Sequence, residues 1–196
     1  MQVTMASQTG RALEFGIYRD GDNNLDTSQS NTLRQARDVS LADRSIQFMV
    51  ENTTSCLRQA QGDTVTDTYT LDGGAKHEID QRPAGDMADP GSLAQFIART
   101  LDNAEKSDAK QSWIDLVDHG AGDGGGLEAD SYGGVMPMQS IADAIAKGEA
   151  IHAKEHPEDA NRTIDGVVAN QCLMSTMGFA DALSHAGVKW LASGKA

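Results

Sequence analysis

Short apolar runs alternate along this chain with amphipathic stretches of helical length, and that alternation leaves few architectures open. Residues 13–18 read as a strand, and the polar stretch 20–26 ends it. Residues 28–43 suit a helix and 46–50 a second strand. The stretch 65–71 alternates, with Val65, Tyr69 and Leu71 on one face, as a half-buried strand does. Asp89-Pro-Gly-Ser92 opens a helix in which Leu93, Phe96, Ile97 and Leu101 recur at i, i+3, i+4 and i+8. Residues 113–117 form a strand that ends in Asp118-His119-Gly120, and a Gly-rich loop follows as far as Gly134. Met138, Ile141 and Ile145 mark another helix. Residues 164–169 are a strand ending at Asn170-Gln171-Cys172, 174–185 a helix and 188–192 a last strand. Strands and helices alternating in this way predict an α/β fold, a mostly parallel sheet flanked by helices. No repeat, low-complexity tract or linker divides the chain, so 1–196 reads as a single domain with loop-rich insertions at 72–89 and 120–137.

Charge removes two classes of partner. The chain has 196 residues with 16 Lys and Arg against 29 Asp and Glu, a formal net charge of −13. Phosphate contacts need cations, so no nucleic acid is expected, and anionic membranes repel such a surface. No apolar run approaches the roughly 20 residues of a membrane helix. The amino terminus has no basic region followed by an apolar core, so no signal peptide is read in this chain. Its two cysteines, Cys56 in a polar stretch and Cys172 at the end of an apolar run, read as thiols and not as a disulfide framework.

The strongest chemical constellation is His119 with Cys172. Each follows the carboxyl end of an apolar strand, the edge at which open parallel sheets bind ligands. Imidazole activates a thiol by taking its proton, and the dipole of a helix starting near Met174 favours a thiolate. Gly120 after the His leaves a backbone N–H open to a substrate oxygen, and with the Cys172 N–H it forms an oxyanion hole. The two residues stand 53 positions apart, close to the spacing of about 50 between the His and Cys of caspases.

Four stretches, in order along nearly the whole chain, carry a family resemblance: Tyr18-Arg-Asp-Gly-Asp-Asn-Asn-Leu-Asp26, Asp89-Pro-Gly-Ser-Leu-Ala-Gln-Phe-Ile97, Leu116-Val-Asp-His-Gly-Ala-Gly122, and Asn170-Gln-Cys-Leu-Met174 with Trp190-Leu-Ala-Ser193. Together they resemble the clostripain-like cysteine peptidases of the caspase-hemoglobinase fold group. The resemblance implies a three-layer sandwich and peptide hydrolysis through an acyl-enzyme, with His119 as general base and Cys172 as nucleophile. It also implies Gly120 and Cys172 amides at the oxyanion, and Asn170 and Asp118 at the substrate. The expected partners are a peptide or protein substrate and a small C-terminal chain released by self-processing. An extracytoplasmic setting follows from the same resemblance. No cofactor is required, although some relatives use calcium. Asn170 stands where the family carries an acid that selects Arg or Lys at the scissile residue. A charge-assisted hydrogen bond is worth roughly 1.5–3 kcal/mol against about 1 for a neutral one. Relaxed or altered specificity is therefore expected, by about ten-fold or more. The family's Glu shortly after the Cys is missing near Met177. The chain also stops one strand past Cys172, so a missing C-terminal portion is expected.

Other readings compete. His152-Ala-Lys-Glu155-His156 fits H-x-x-E-H, with two His on one helix face and Glu155 as base of a zinc peptidase, but Pro157 and its charged neighbours read as a solvated helix end. Asp20-Gly-Asp22-Asn-Asn24-Leu-Asp26 begins like a calcium loop, yet it has Leu25 and Asn31 where Gly and Glu belong and reads as a turn. Asp123, Glu128 and Asp130 add acid near the His loop, without locating a calcium site. Gly122-Asp-Gly-Gly-Gly126 has no P-loop partner and reads as a loop beside the His. Met136, Met138, Met174 and Met177 read as core. The functional alternative is a caspase-like binding scaffold that cuts nothing.

Overall fold

The computed structural model describes residues 10–21, 25–54, 65–129 and 134–194. Cys56 and the amino terminus lie outside the described residues. So do Asp22 to Asn24 of the acidic loop, Asp130, and the side chains of Asp123 and Glu128.

The expected α/β fold is present. Strands β1 (Leu13–Gly21), β2 (Ile46–Thr54), β3 (Val65–Asp72), β4 (Ala75–Pro83), β5 (Gln111–Val117), β8 (Gly166–Asn170) and β9 (Trp190–Ser193) form one sheet in the order β4-β3-β2-β1-β5-β8-β9. Strands β2, β1, β5, β8 and β9 run parallel, while β3 and β4 join antiparallel at one edge. Helices α1 (Asp26–Ala42), α2 (Pro90–Lys106), α3 (Met138–Glu155) and α4 (Met177–His185) connect them.

Helix α2 starts where the sequence says it should. The Asp89 side chain accepts from the Ser92 N–H at 2.9 Å and Pro90 stands at the first turn. Its face of Leu93, Phe96, Ile97 and Leu101 is fully buried, in one cluster with Ile114, Leu116, Val167 and α3's Ile141 and Ile145. A second cluster (Ile17, Phe48, Val50, Tyr69, Leu71, Val117) lies with Leu33 and Ala36 of α1. Because both faces are covered, strands that read as continuous apolar runs are the ones that fit the middle of the sheet.

Both stretches expected to be loops contain strands. Residues 72–89 hold β4, joined to β3 through Gly73-Gly74, whose φ values of 57° and 79° suit a two-residue hairpin turn. Strand β4 is mostly exposed, so no buried face imposes periodicity on its sequence, and a bulge at Ile79 breaks its register. Residues 120–137 hold a short antiparallel pair, β6 (Gly126–Ala129) and β7 (Gly134–Met136).

Glu14 on β1 is fully buried and accepts from Asn103 Nδ2 at 2.8 Å. Burial pushes its carboxyl up from 4.5 to about 8, against the opposing pull of the Asn103 bond. The folded chain therefore holds a proton that the unfolded chain gives up. The stability this contributes is complete below 4.5 and lost as pH rises to about 8. Glu14→Gln removes the titration while keeping an acceptor for Asn103. Urea melts from about pH 5 to about pH 8 should show the variant gaining on the wild type, by on the order of 3 kcal/mol at the upper end. A gap that stays constant with pH would contradict this origin.

Candidate active site

Register brings the strand ends that precede His119 and Cys172 to one level. Strands β5 and β8 are parallel neighbours in which Val117 pairs with Asn170. His119 and Cys172 each stand two residues beyond that pair, and adjacent strands lie about 4.8 Å apart. The two loops also touch. A Cβ placed on Gly120 would collide with the Cys172 carbonyl oxygen and approach Gln171 Cβ and Met174 Cγ to 3.0 Å each. Gly120 is thus required by close packing of the His loop on the Cys loop, a reason separate from substrate access. Cys172 is exposed and unpaired with any other cysteine, and His119 is half-buried.

Three features of the Cys loop were not anticipated. Buried Gln171 donates from Nε2 to the His119 carbonyl at 3.3 Å and packs against Gly126, which itself bridges to Gly120. Leu173, immediately after the cysteine, has φ of 60° and is 54% exposed. A β-carbon in that region is strained, and such strain persists where surrounding contacts fix the loop. Ser175 Oγ reaches Ser193 Oγ at 2.8 Å and the Ser193 carbonyl at 3.2 Å, tying the loop to the end of β9.

The helix expected at Met174 starts later. Thr176 caps α4 by accepting from the Phe179 N–H at 3.1 Å, so a non-helical turn separates Cys172 from the helix. The macrodipole acts within the first turn, and the proposed dipole assistance to Cys172 loses its basis. Met177, expected in the core, is 86% exposed at the first position of α4; Met136 and Met174 are fully buried as expected, and Met138 packs against the core.

Of the two substrate-binding candidates, Asn170 is exposed at the end of β8 and Asp118 is buried to 2%. Asn170 makes a side-chain hydrogen bond to Asp115, a buried carboxyl that the sequence reading did not single out. Asp115 is 6% exposed, and desolvation pushes it up to about 7 although the Asn170 bond opposes the shift. The available signal was an acid inside an apolar strand, Trp113-Ile-Asp115-Leu-Val117.

The H-x-x-E-H stretch is not the solvated helix end that the sequence suggests. His152 is fully buried, and Glu155 is exposed and apart from the groups that both His residues contact. Among the described residues, no helix is long and apolar enough to cross a membrane.

No family model and no curated protein matches the chain. Solved structures do. An inactive zymogen C11 protease from Parabacteroides distasonis matches with a TM-score of 0.61 at 18% identity, over 91% of this chain and 47% of that one. A secreted C11 cysteine protease from Bacteroides thetaiotaomicron, in complex with an irreversible peptide inhibitor, matches at 0.60 and 13%, over 88% and 46%. A further structure of a secreted C11 cysteine protease from the same organism, "iotapain", matches at 0.55 and 14%, over 89% and 50%. The chain spans about half the length of these proteins. The fold is that of C11, or clostripain-like, cysteine proteases, as the four sequence stretches led one to expect.

Proposed function

We propose that this chain is the catalytic half of a cysteine endopeptidase that works through His119 and Cys172. The observation that supports the reading is that both residues follow the paired carboxyl ends of β5 and β8, with their loops in contact through Gly120. His119 takes the thiol proton, and the Cys172 sulfur attacks the scissile carbonyl. The Gly120 and Cys172 amides hold the oxyanion. Collapse expels the amine, which takes its proton from His119, and leaves a thioester. Water, deprotonated by His119, then releases the acid and restores the thiol. The chemistry requires no cofactor, and calcium has no assigned place in it.

Asn170 and Asp115 together refine the specificity expected from Asn170 alone. A neutral amide faces the scissile side chain, and a carboxyl bonded behind it is protonated below about 7 and charged above. Preference for Arg or Lys over an apolar residue at that position should therefore rise with pH, by roughly ten-fold across the transition. Asp115→Asn should flatten the profile.

A fluorogenic peptide library varied at the scissile residue, run at several pH values on wild type and Cys172→Ala, tests both statements. Cleavage by the wild type alone supports the peptidase. Peptide binding without cleavage by either form would favour a binding scaffold. A pH-independent strict Arg preference would remove Asp115 from the subsite.

A C-terminal portion, and its release by self-processing, belong to the same proposal. Strand β9 forms an edge of the described sheet, and its Trp190 is 59% exposed, as a surface for further chain would be. The intact mass of the natural protein, set against 20.8 kDa for this chain, checks it.

A further inference from the structure

Among the described residues, a dense group of ionisable side chains away from His119 and Cys172 lies at the opposite edge of the sheet. Helices α2 and α3 lead into β5 and β8, so their carboxyl-terminal turns sit near the amino ends of those strands. The two helices run parallel and close. Gly148 on α3 faces Ala94 and Ile97 on α2, where an added Cβ would stand 2.6 Å from Ile97 Cβ and 2.7 Å from the Ala94 carbonyl. One turn further on, His152 and His156 reach Asp102 of α2.

Two imidazoles converge on one carboxylate. Asp102 Oδ1 lies 2.7 Å from His152 Nδ1 and 3.4 Å from His156 Nε2. The three ligand atoms lie within 4.8 Å of one another. Tetrahedral zinc, with bonds of about 2.0–2.1 Å, places its ligand atoms about 3.3 Å apart; the two imidazoles stack with centroids 4.9 Å apart and planes at 18°, so taking an ion means opening the 2.7 Å contact and turning one ring. The outer nitrogens also have carboxylates. His156 Nδ1 lies 2.6 Å from Glu105 Oε2, and His152 Nε2 lies 3.5 Å from Asp159 Oδ2. A metal-bound histidine usually gives its second N–H to a carboxylate, carbonyl or water, which fixes the tautomer and the ring; Asp159 Oδ2 also binds Arg162 Nε. His152 is fully buried and its Nε2 has no hydrogen-bond partner. With metal on Nδ1, its proton sits on Nε2, facing Asp159. Asp102 and His156 are partly exposed, at 22% and 26%, which leaves a side open for a water as fourth ligand.

We propose that Asp102, His152 and His156 bind a divalent transition metal, zinc by the imidazole-rich donor set, with Glu105 and Asp159 orienting the two histidines. The ion joins α2 to α3, the helices that precede the strands bearing His119 and Cys172. The role proposed for it is to hold the two helices together, and that proposal stands or falls independently of the peptidase reading.

Thermal melts with zinc chloride test the site. Both cysteines are first replaced by serine so that no thiol competes for the metal. Zinc at about 100 times its Kd should raise Tm by roughly 5–10 °C, and a chelator should reverse the rise. His156→Gln and Asp102→Asn, both at partly exposed positions, should fold and lose the rise. Calorimetric titration should give one ion per chain in the parent and none in the variants. No zinc-dependent rise, or a rise that survives in both variants, would overturn the proposal.

Discussion

His119→Ala should lower kcat/KM for peptide hydrolysis by about 10³–10⁴-fold, because the thiol then loses the base that activates it and the acid that protonates the leaving amine. His119 is held by register, two residues beyond the Val117–Asn170 pair, and by the bond from Gln171 to its carbonyl. Removing the ring should leave those backbone contacts in place, so circular dichroism and Tm should change little. A loss of less than ten-fold would assign the chemistry to another group.

Gly120→Ala should cost about 10²-fold or more in kcat/KM with a folded chain. The new Cβ meets the Cys172 carbonyl, Gln171 and Met174, none of which is the free end of an exposed side chain. The Cys loop must shift, and a displacement of about 1 Å at reacting groups is worth roughly 10²-fold. The same substitution perturbs the amide assigned to the oxyanion. Peptide binding, read by inhibition with an uncleaved analogue, should fall much less than turnover. Equal losses in binding and turnover would mean that Gly120 serves only the fold.

Much of this was legible because burial leaves a mark on sequence. Strands β1, β2, β5 and β8 lie between helical layers or beside the core, so they read as apolar runs, and His119 and Cys172 follow two of them. Strand β4 left no such mark. It lies at an exposed edge, and only the Gly73-Gly74 turn announced it. The start of α4 was misplaced because Leu173 and Met174 look helical, whereas the capping Thr176 sets the boundary. His152 read as solvated among charged neighbours because the cause of its burial, the close approach at Gly148, involves a helix about 50 residues away in sequence. Asp115 was passed over for a related reason: its partner Asn170 sits on a neighbouring strand.

The most direct test of the His119–Cys172 assignment is the intact mass of the native chain after brief exposure to a peptidyl electrophile that acylates or alkylates thiols. The dyad predicts one adduct, mapped to Cys172, formed much faster than on the urea-unfolded chain and slowed to that background rate by His119→Ala. Labelling of Cys172 at the same rate in native, unfolded and His119→Ala protein would contradict it.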